Sequence, residues 1–98
     1  MAYKIIITEK FENSAAKTSQ WIEKEWSLNS SLEFDKKLND IIHELSLNPN
    51  IGRLSARKNI RSLRVTKHNR VYYRVSKNQI TFLDLFVSKQ NPKRNKYE

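Results

Sequence analysis

The stretch that decides the fold runs from Arg61 to Val87 and reads RSLRVT-KHN-RVYYRV-SKN-QITFLDLFV. Apolar and polar residues alternate in three runs, each as long as a β-strand, and two polar breaks separate the runs. Both breaks are three residues long and end in Asn, which tolerates the left-handed backbone that a three-residue hairpin loop needs. The pattern predicts a three-stranded antiparallel meander with loops Lys67–Asn69 and Ser76–Asn78.

These loops set a register in which Tyr72 lies opposite Phe82 and Arg70 lies opposite Asp84. Because side chains alternate between the two faces of a sheet, one face of the meander is apolar and the other is basic and aromatic. The predicted core face carries Leu63, Val65, Val71, Tyr73, Val75, Leu83, Leu85 and Val87. The predicted second face carries Arg64, Arg70, Tyr72, Arg74, Phe82, Asp84 and Phe86. On it, an ion pair between Asp84 and Arg70 is expected rather than a catalytic acid.

One strand and two helices are predicted ahead of the meander. The strand covers Tyr3–Thr8, and Thr8 is the expected N-cap of a helix from about Glu9 to Trp26. A second helix is predicted to begin at Ser30, with Glu33 completing a capping box, and to end near Leu47. The apolar stripes are Phe11, Ala15, Ile22 and Trp26 on the first helix, and Phe34, Leu38, Ile41, Ile42 and Leu45 on the second. A short connection makes the helices an antiparallel hairpin, so the expected fold is α+β with this hairpin on one face of the sheet.

Length and composition narrow the class of protein. The chain of 98 residues is expected to form a single domain over 1–98, with a basic, loosely held tail at about 89–98. It contains no cysteine and one glycine, so Gly-rich phosphate loops are excluded and no cofactor is expected. No histidine spacing predicts a metal site. No stretch resembles a signal peptide or a membrane span, and a cytoplasmic protein without membrane contact is expected.

The net charge of +9 is concentrated in the second half of the chain. Residues 1–44 contain six Lys/Arg and eight Asp/Glu, whereas residues 45–98 contain thirteen Lys/Arg and two Asp/Glu. Such asymmetry indicates a polyanionic ligand, an acidic protein partner, or both. The alternative is a soluble domain from a lysine-rich proteome.

The predicted second face is the candidate site for chemistry. Its arginines could bind phosphate through bidentate hydrogen bonds, and Tyr72 and Phe82 could stack on bases. A ribonuclease that activates a 2′-hydroxyl needs a base, a cation and an acid, and no residue here is an evident base. His43 is expected on a solvated helix face, and His68 in an exposed loop. The alternative is that the arginines keep the face soluble or dock an acidic partner.

Several motifs resemble one family when they are taken in order. These are the order of the elements, the Asn48-Pro49-x-x-Gly52 turn, Arg61-x-Leu63-x-Val65, Arg70-Val-Tyr-Tyr-Arg-Val and the closing Leu85–Arg94. Together they resemble the RelE/ParE superfamily of bacterial type II toxins, in its plasmid-stabilisation branch. The resemblance implies a small toxin encoded beside a cognate antitoxin, whose acidic segment wraps it. It also implies one of two targets, because ParE-like members poison DNA gyrase and RelE-like members cut mRNA in the ribosomal A site.

The resemblance also assigns residues, and the assignment is incomplete. Arg70 matches the family's arginine at the start of the third strand, Arg61 roughly matches a preceding basic position, and Leu63 replaces a second basic residue. Lys89 replaces an arginine, and Tyr97 is loosely placed in the tail. A nuclease would therefore use Arg64 and Arg70, with weaker candidates in Arg61, Lys89 and Tyr97. The expected binding residues are Arg61, Arg64, Tyr72, Arg74, Phe82 and Lys89. The gaps favour a ParE-like gyrase inhibitor over a metal-independent RelE-like endoribonuclease; a non-toxic basic binding module is the further alternative.

Overall fold

A computed structural model of the chain describes residues 3–55, 57 and 59–87. Their elements are β1 (Lys4–Ile7), α1 (Glu9–Glu25), α2 (Leu28–Leu47), a 3-10 turn (Pro49–Ile51), β2 (Arg53–Leu54), β3 (Ile60–Thr66), β4 (Asn69–Ser76) and β5 (Gln79–Val87). The strands form one sheet in the order β1-β5-β4-β3-β2, in which β1 runs parallel to β5 and every other pair is antiparallel. The predicted α+β class is confirmed, while the short strand β2 was not predicted. No helix within the described residues is long and apolar enough to cross a bilayer.

The two helices begin at hydroxyl caps. Thr8 accepts a hydrogen bond from the backbone N–H of Phe11 at 3.1 Å, which confirms the predicted cap of α1. The predicted start of α2 at Ser30 is wrong. Ser27 caps that helix instead, accepting from the Ser30 N–H at 3.0 Å, so α2 begins three residues after α1 ends. The resulting connection is short enough to force the antiparallel hairpin.

The hydrophobic core lies between the helical hairpin and one face of the sheet. Its buried members are Phe11, Phe34, Leu38, Leu45, Val65, Val71, Tyr73, Ile80, Phe82 and Leu85. The predicted stripes of both helices contribute, with one exception. Trp26 was expected in the core but is 68% exposed, because it follows the last residue of α1 and its backbone has left the helical conformation.

Both hairpin loops are shorter than predicted. Thr66 pairs with Asn69 and Ser76 pairs with Gln79, so each loop has two residues between the paired positions rather than three. Asn69 belongs to β4, and the left-handed residue of the second loop is Lys77, with φ 38°, rather than Asn78. The predicted loops at Lys67–Asn69 and Ser76–Asn78, and the register built on them, are therefore wrong.

An irregularity in β5 decides which of its side chains reach the core. Tyr73 pairs with Phe82 and Tyr72 pairs with Asp84, so Leu83 is an extra residue on β5, as in a β-bulge. Phe82 is completely buried under the helices, where it contacts Phe11 with ring centroids 5.3 Å apart. Leu83 packs in the separate cluster on the other face. The predicted faces of Phe82 and Leu83 are therefore exchanged.

The Tyr73 hydroxyl fastens the turn after α2 to the sheet. It donates a hydrogen bond to the Pro49 carbonyl oxygen at 2.8 Å and accepts one from the Gly52 N–H at 3.0 Å. A Cβ atom at Gly52 would lie 2.8 Å from Tyr73 Cζ and 2.9 Å from the Ser62 carbonyl oxygen, so the close approach requires glycine. Burial raises the pKa of Tyr73 above its ordinary 10.0, although the Gly52 hydrogen bond and the Arg61 charge act in the opposite direction.

Tyr73→Phe should lower the free energy of unfolding by about 1–3 kcal/mol at neutral pH, because it leaves two buried backbone groups without their partner. The difference in the free energy of unfolding between Tyr73→Phe and wild type should narrow above about pH 10. There the unfolded tyrosine ionises while the folded one stays neutral, so wild-type stability falls as pH rises toward the raised folded-state pKa. Urea unfolding of both proteins at about pH 7 and about pH 10.5 tests this. An equal difference at both pH values would contradict it.

Candidate functional site

The face of the sheet away from the helices is the candidate site, called here the open face. The observed pairings and the alternation of side chains assign its members. They are Ile60, Ser62 and Arg64 on β3, Arg70, Tyr72 and Arg74 on β4, and Thr81, Leu83 and Phe86 on β5. Three of the predicted cations, Arg64, Arg70 and Arg74, therefore do share one surface.

Two arginines of the open face are cross-strand neighbours. Arg64 and Arg70 are directly paired across β3 and β4, and Arg70 Nη1 donates to Ser62 Oγ at 3.0 Å. Like charges that face each other across strands repel, so a bound anion between them would be stabilising. Arg53 on β2 is paired with Ser62 and extends the basic surface. Arg53 was missed because two residues are too few to show strand periodicity.

The aromatic part of the predicted site is not available for stacking. Tyr72 lies on the open face but is only 1% exposed, because it packs with Ile60, Leu83 and Phe86. Phe82 lies on the opposite face inside the core. The prediction that Tyr72 and Phe82 present rings to a ligand is therefore wrong, and the half-buried Phe86 is the aromatic side chain that borders the arginines, directly opposite Arg70.

The bulge in β5 removes the sheet's one carboxylate from the basic surface. Asp84 is the only acidic residue in the five described strands, and its Oδ1 accepts a hydrogen bond from Ser14 of α1 at 2.8 Å. Its Oδ2 lies 3.4 Å from the Lys10 ammonium, also on α1. The expected cross-strand pair of Asp84 with Arg70 is wrong, because the register places Arg70 opposite Phe86 instead.

The remaining predicted residues divide between the other face and the undescribed tail. Arg61 pairs with Tyr73 on the helix side, and its Nη1 donates to the carbonyl oxygens of Gly52 at 2.8 Å and Asn50 at 3.3 Å. This holds the turn after α2 and keeps Arg61 away from the open face. Lys89 and Tyr97, like the predicted tail at 89–98, lie outside the described residues.

Comparison with known proteins identifies the family. Residues 5–92 match the family model described as the ParE toxin of the type II toxin–antitoxin system parDE. The chain belongs to this family of toxins. No curated protein sequence matches it significantly.

Solved structures of toxins share the fold of this ParE-family chain. The chromosomal ParDE toxin–antitoxin system of P. aeruginosa gives a TM-score of 0.76 at 16% identity, covering 88% of this chain and 96% of that one. The RelBE2 toxin–antitoxin complex of Mycobacterium tuberculosis gives a TM-score of 0.60 at 20% identity, covering 89% of this chain and 99% of that one. The DinJ–YafQ toxin–antitoxin complex of E. coli gives a TM-score of 0.61 at 13% identity, covering 91% of this chain and 96% of that one.

The hydrogen bonds of Asp84 should matter more for the toxin's stability than its charge does. Asp84→Ala leaves Ser14 Oγ and the Leu85 N–H, which donates to Asp84 Oδ1 at 2.8 Å, without an acceptor. We expect a loss of about 1–3 kcal/mol. Asp84→Asn keeps a hydrogen-bond acceptor and loses only the ion pair with the half-exposed Lys10. It should therefore lower the free energy of unfolding by at most about 1 kcal/mol, and Lys10→Ala should do the same. Thermal unfolding of the three variants compares them, and equal losses for Asp84→Asn and Asp84→Ala would show that charge dominates.

The open face should account for most of the toxin's attraction to polyanions. Replacing Arg64 and Arg74 by alanine should reduce the slope of log affinity against log salt for a short DNA duplex by about two. The matched control, Lys36→Ala with Lys37→Ala, removes the same charge from exposed positions of α2 on the helix side. Fluorescence anisotropy over a salt series measures both slopes. Equal reductions in the two double variants would mean that net charge alone attracts the duplex.

Proposed function

We propose that this ParE-family toxin inhibits DNA gyrase in the bacterial cytoplasm and that a cognate antitoxin neutralises it. The match to the ParE toxin family over residues 5–92 supports the choice of target. The solved ParDE, RelBE2 and DinJ–YafQ relatives belong to toxin–antitoxin systems, which supports the antitoxin as partner. The arginines of the open face are the proposed contact with the target.

The observation that carries the proposal is the removal of Asp84 from the open face. Among the described residues of that face there is no carboxylate or imidazole that could accept a proton from a 2′-hydroxyl. His68 lies in the β3–β4 turn and lines a cleft on the helix side. The face therefore offers cations and hydroxyl groups, which suit binding to a target better than general acid–base chemistry.

A RelE-like endoribonuclease is the second candidate, and one feature favours it. Arg64 and Arg70 lie side by side and could stabilise the negative charge that develops on a phosphorane. Under this alternative Arg61 would still act on the turn after α2 rather than on RNA, because its guanidinium is bonded there.

Induced expression and a purified-enzyme assay distinguish the two targets. Expression of the toxin should arrest growth and induce the DNA-damage response, and the purified chain should inhibit gyrase supercoiling. The Arg64→Ala/Arg74→Ala variant should need about tenfold more toxin for half-inhibition, equivalent to about 1.4 kcal/mol of lost binding free energy. The Lys36→Ala/Lys37→Ala control should inhibit like wild type.

Two results would contradict the proposal. One is cleavage of mRNA at A-site codons soon after induction, without inhibition of gyrase, which would select the endoribonuclease. The other is normal growth on expression without the neighbouring reading frame, which would indicate a non-toxic binding module.

A further inference from the structure

The two edges of the sheet are protected to different degrees. At one edge, β2 comprises two residues, Arg53 and Leu54, and Arg57 follows it closely. Short strands and charged side chains are common means by which proteins keep a sheet edge from pairing with another chain. At the other edge, β1 has four residues, three of which are isoleucine. β1 is therefore the less protected edge.

The backbone groups of β1 divide between an inner and an outer side. The N–H of Lys4 donates to the Asn78 carbonyl oxygen at 2.8 Å, and the N–H of Thr8 donates to β5 in the same way at 3.3 Å. Because the backbone groups of successive strand residues point in opposite directions, those of Ile5 and Ile7 point away from β5. No strand among the described residues pairs with that side of β1. The outer side thus presents two N–H donors and two carbonyl acceptors.

The side chains of Ile5 and Ile7 make the same edge apolar. Ile5 pairs with Ile80 and Ile7 pairs with Phe82, and because both partners are core residues, the two isoleucines lie on the helix side of the sheet. α1 packs on β5, where Phe11 contacts Phe82, but it covers the side chains of β1 only in part. Ile5 is 38% exposed and Ile7 is 42% exposed. A further strand along β1 would bury more of both.

The net charge of this part of the chain is zero. Residues 1–25, which include β1 and α1, contain four Lys and four Glu and no other charged side chain, whereas the whole chain carries +9. A large net charge of one sign keeps copies of a protein apart. Along β1 and α1, a second copy can approach without the repulsion that the arginines of β3 and β4 would produce.

The outward backbone groups determine the register in which two copies can pair. In an antiparallel pair centred on Ile6, Ile5 of each copy lies opposite Ile7 of the other, and each such pair exchanges two backbone hydrogen bonds. Four isoleucine side chains then meet on the helix side. The same register brings Lys4 of each copy to within one position of Glu9 of the other, so that opposite charges adjoin at both ends.

We propose that two copies of the free chain associate through their β1 edges, antiparallel and centred on Ile6, and join their two sheets into one. The pairing is limited to Ile5–Ile7, because the N–H of Tyr3 already donates to the Ser46 carbonyl oxygen at 2.7 Å. So small an interface gives a weak dimer, whose population rises with protein concentration. This association is independent of the proposed gyrase target.

The pairing has a consequence for the open face. The two-fold axis that relates antiparallel strands of one continuous sheet is perpendicular to the sheet, so both open faces lie on the same side. The two β4 strands, which carry Arg70 and Arg74, are separated by two strand spacings in each copy and one between the copies. That separation is about 24 Å. The dimer therefore presents both arginine surfaces together, and an extended polyanion that reached both would bind more tightly.

Sedimentation velocity of the purified chain over about a hundredfold range of concentration tests the association. Wild type should shift from monomer toward dimer as concentration rises. Ile5→Lys and Ile7→Glu should each weaken the dimer by about tenfold or more, because each puts a charge into the isoleucine cluster. Both side chains are partly exposed, so the variants should keep the fold, which circular dichroism can verify.

Mixing the variants tests the register. Ile5→Lys mixed with Ile7→Glu should restore a heterodimer, because the new charges lie directly opposite each other and the second pair remains Ile with Ile. Ile5→Lys mixed with Ile5→Glu should not, since each new charge then faces an isoleucine. Hydrogen exchange gives a second readout, because the amides of Ile5 and Ile7 should become protected as concentration rises.

Leu54→Lys is the matched control. Leu54 is 63% exposed on β2, the other edge strand, so the same added charge there should leave dimerisation unchanged.

Four results would overturn the inference. A wild-type chain that stays monomeric at every concentration would show that its edges do not pair. A dimer that Leu54→Lys weakens as much as Ile5→Lys does would mean that β2 or net charge controls association. Equal restoration by the two mixtures would reject the register centred on Ile6. Protection of Ile5 and Ile7 that appears only when the neighbouring gene's protein is added would mean that this protein, rather than a second copy, covers the edge.

Discussion

The extra residue in β5 is the constraint on which the arrangement of both faces depends. Before it, Phe82 points into the core with Tyr73; after it, Leu85 does the same, and Asp84 reaches Ser14 and Lys10 of α1. A regular strand could not bury both apolar residues, because they are three positions apart. The bulge therefore completes the core. Because it also turns Asp84 toward the helices, it attaches β5 to α1.

The two faces of the sheet consequently have different chemistry. The helix side contains the core, the Tyr73 hydrogen bonds to the turn after α2, and a cleft lined by Trp21 and Trp26. The open face combines paired arginines with a small apolar cluster around Tyr72. The one carboxylate of the described strands, Asp84, contacts α1 instead of this face. Such a division allows one small domain to present two surfaces to partners of different character.

Periodicity in the sequence was sufficient for the element types, the α+β class and the placement of Arg64, Arg70 and Arg74 on one surface. It failed at the turns, because Lys-His and Lys-Asn carry no glycine to mark a two-residue loop, and the Asn residues suggested longer ones. The bulge has no sequence signature of its own, so Phe82 and Asp84 were assigned to the wrong face. Trp26 was assigned to the apolar stripe of the first helix, although the structure places it after the last residue of α1 and 68% exposed.

The parallel pairing of β1 with β5 has a consequence for synthesis. Lys4–Ile7 emerge from the ribosome long before their partner, Gln79–Phe82, which belongs to the strand that also completes the core. Contacts this distant in sequence form late, after the loop-closure entropy has been overcome. The nascent chain therefore cannot finish its sheet until β5 has been translated, so the toxin acquires both faces of the sheet only after that strand has emerged.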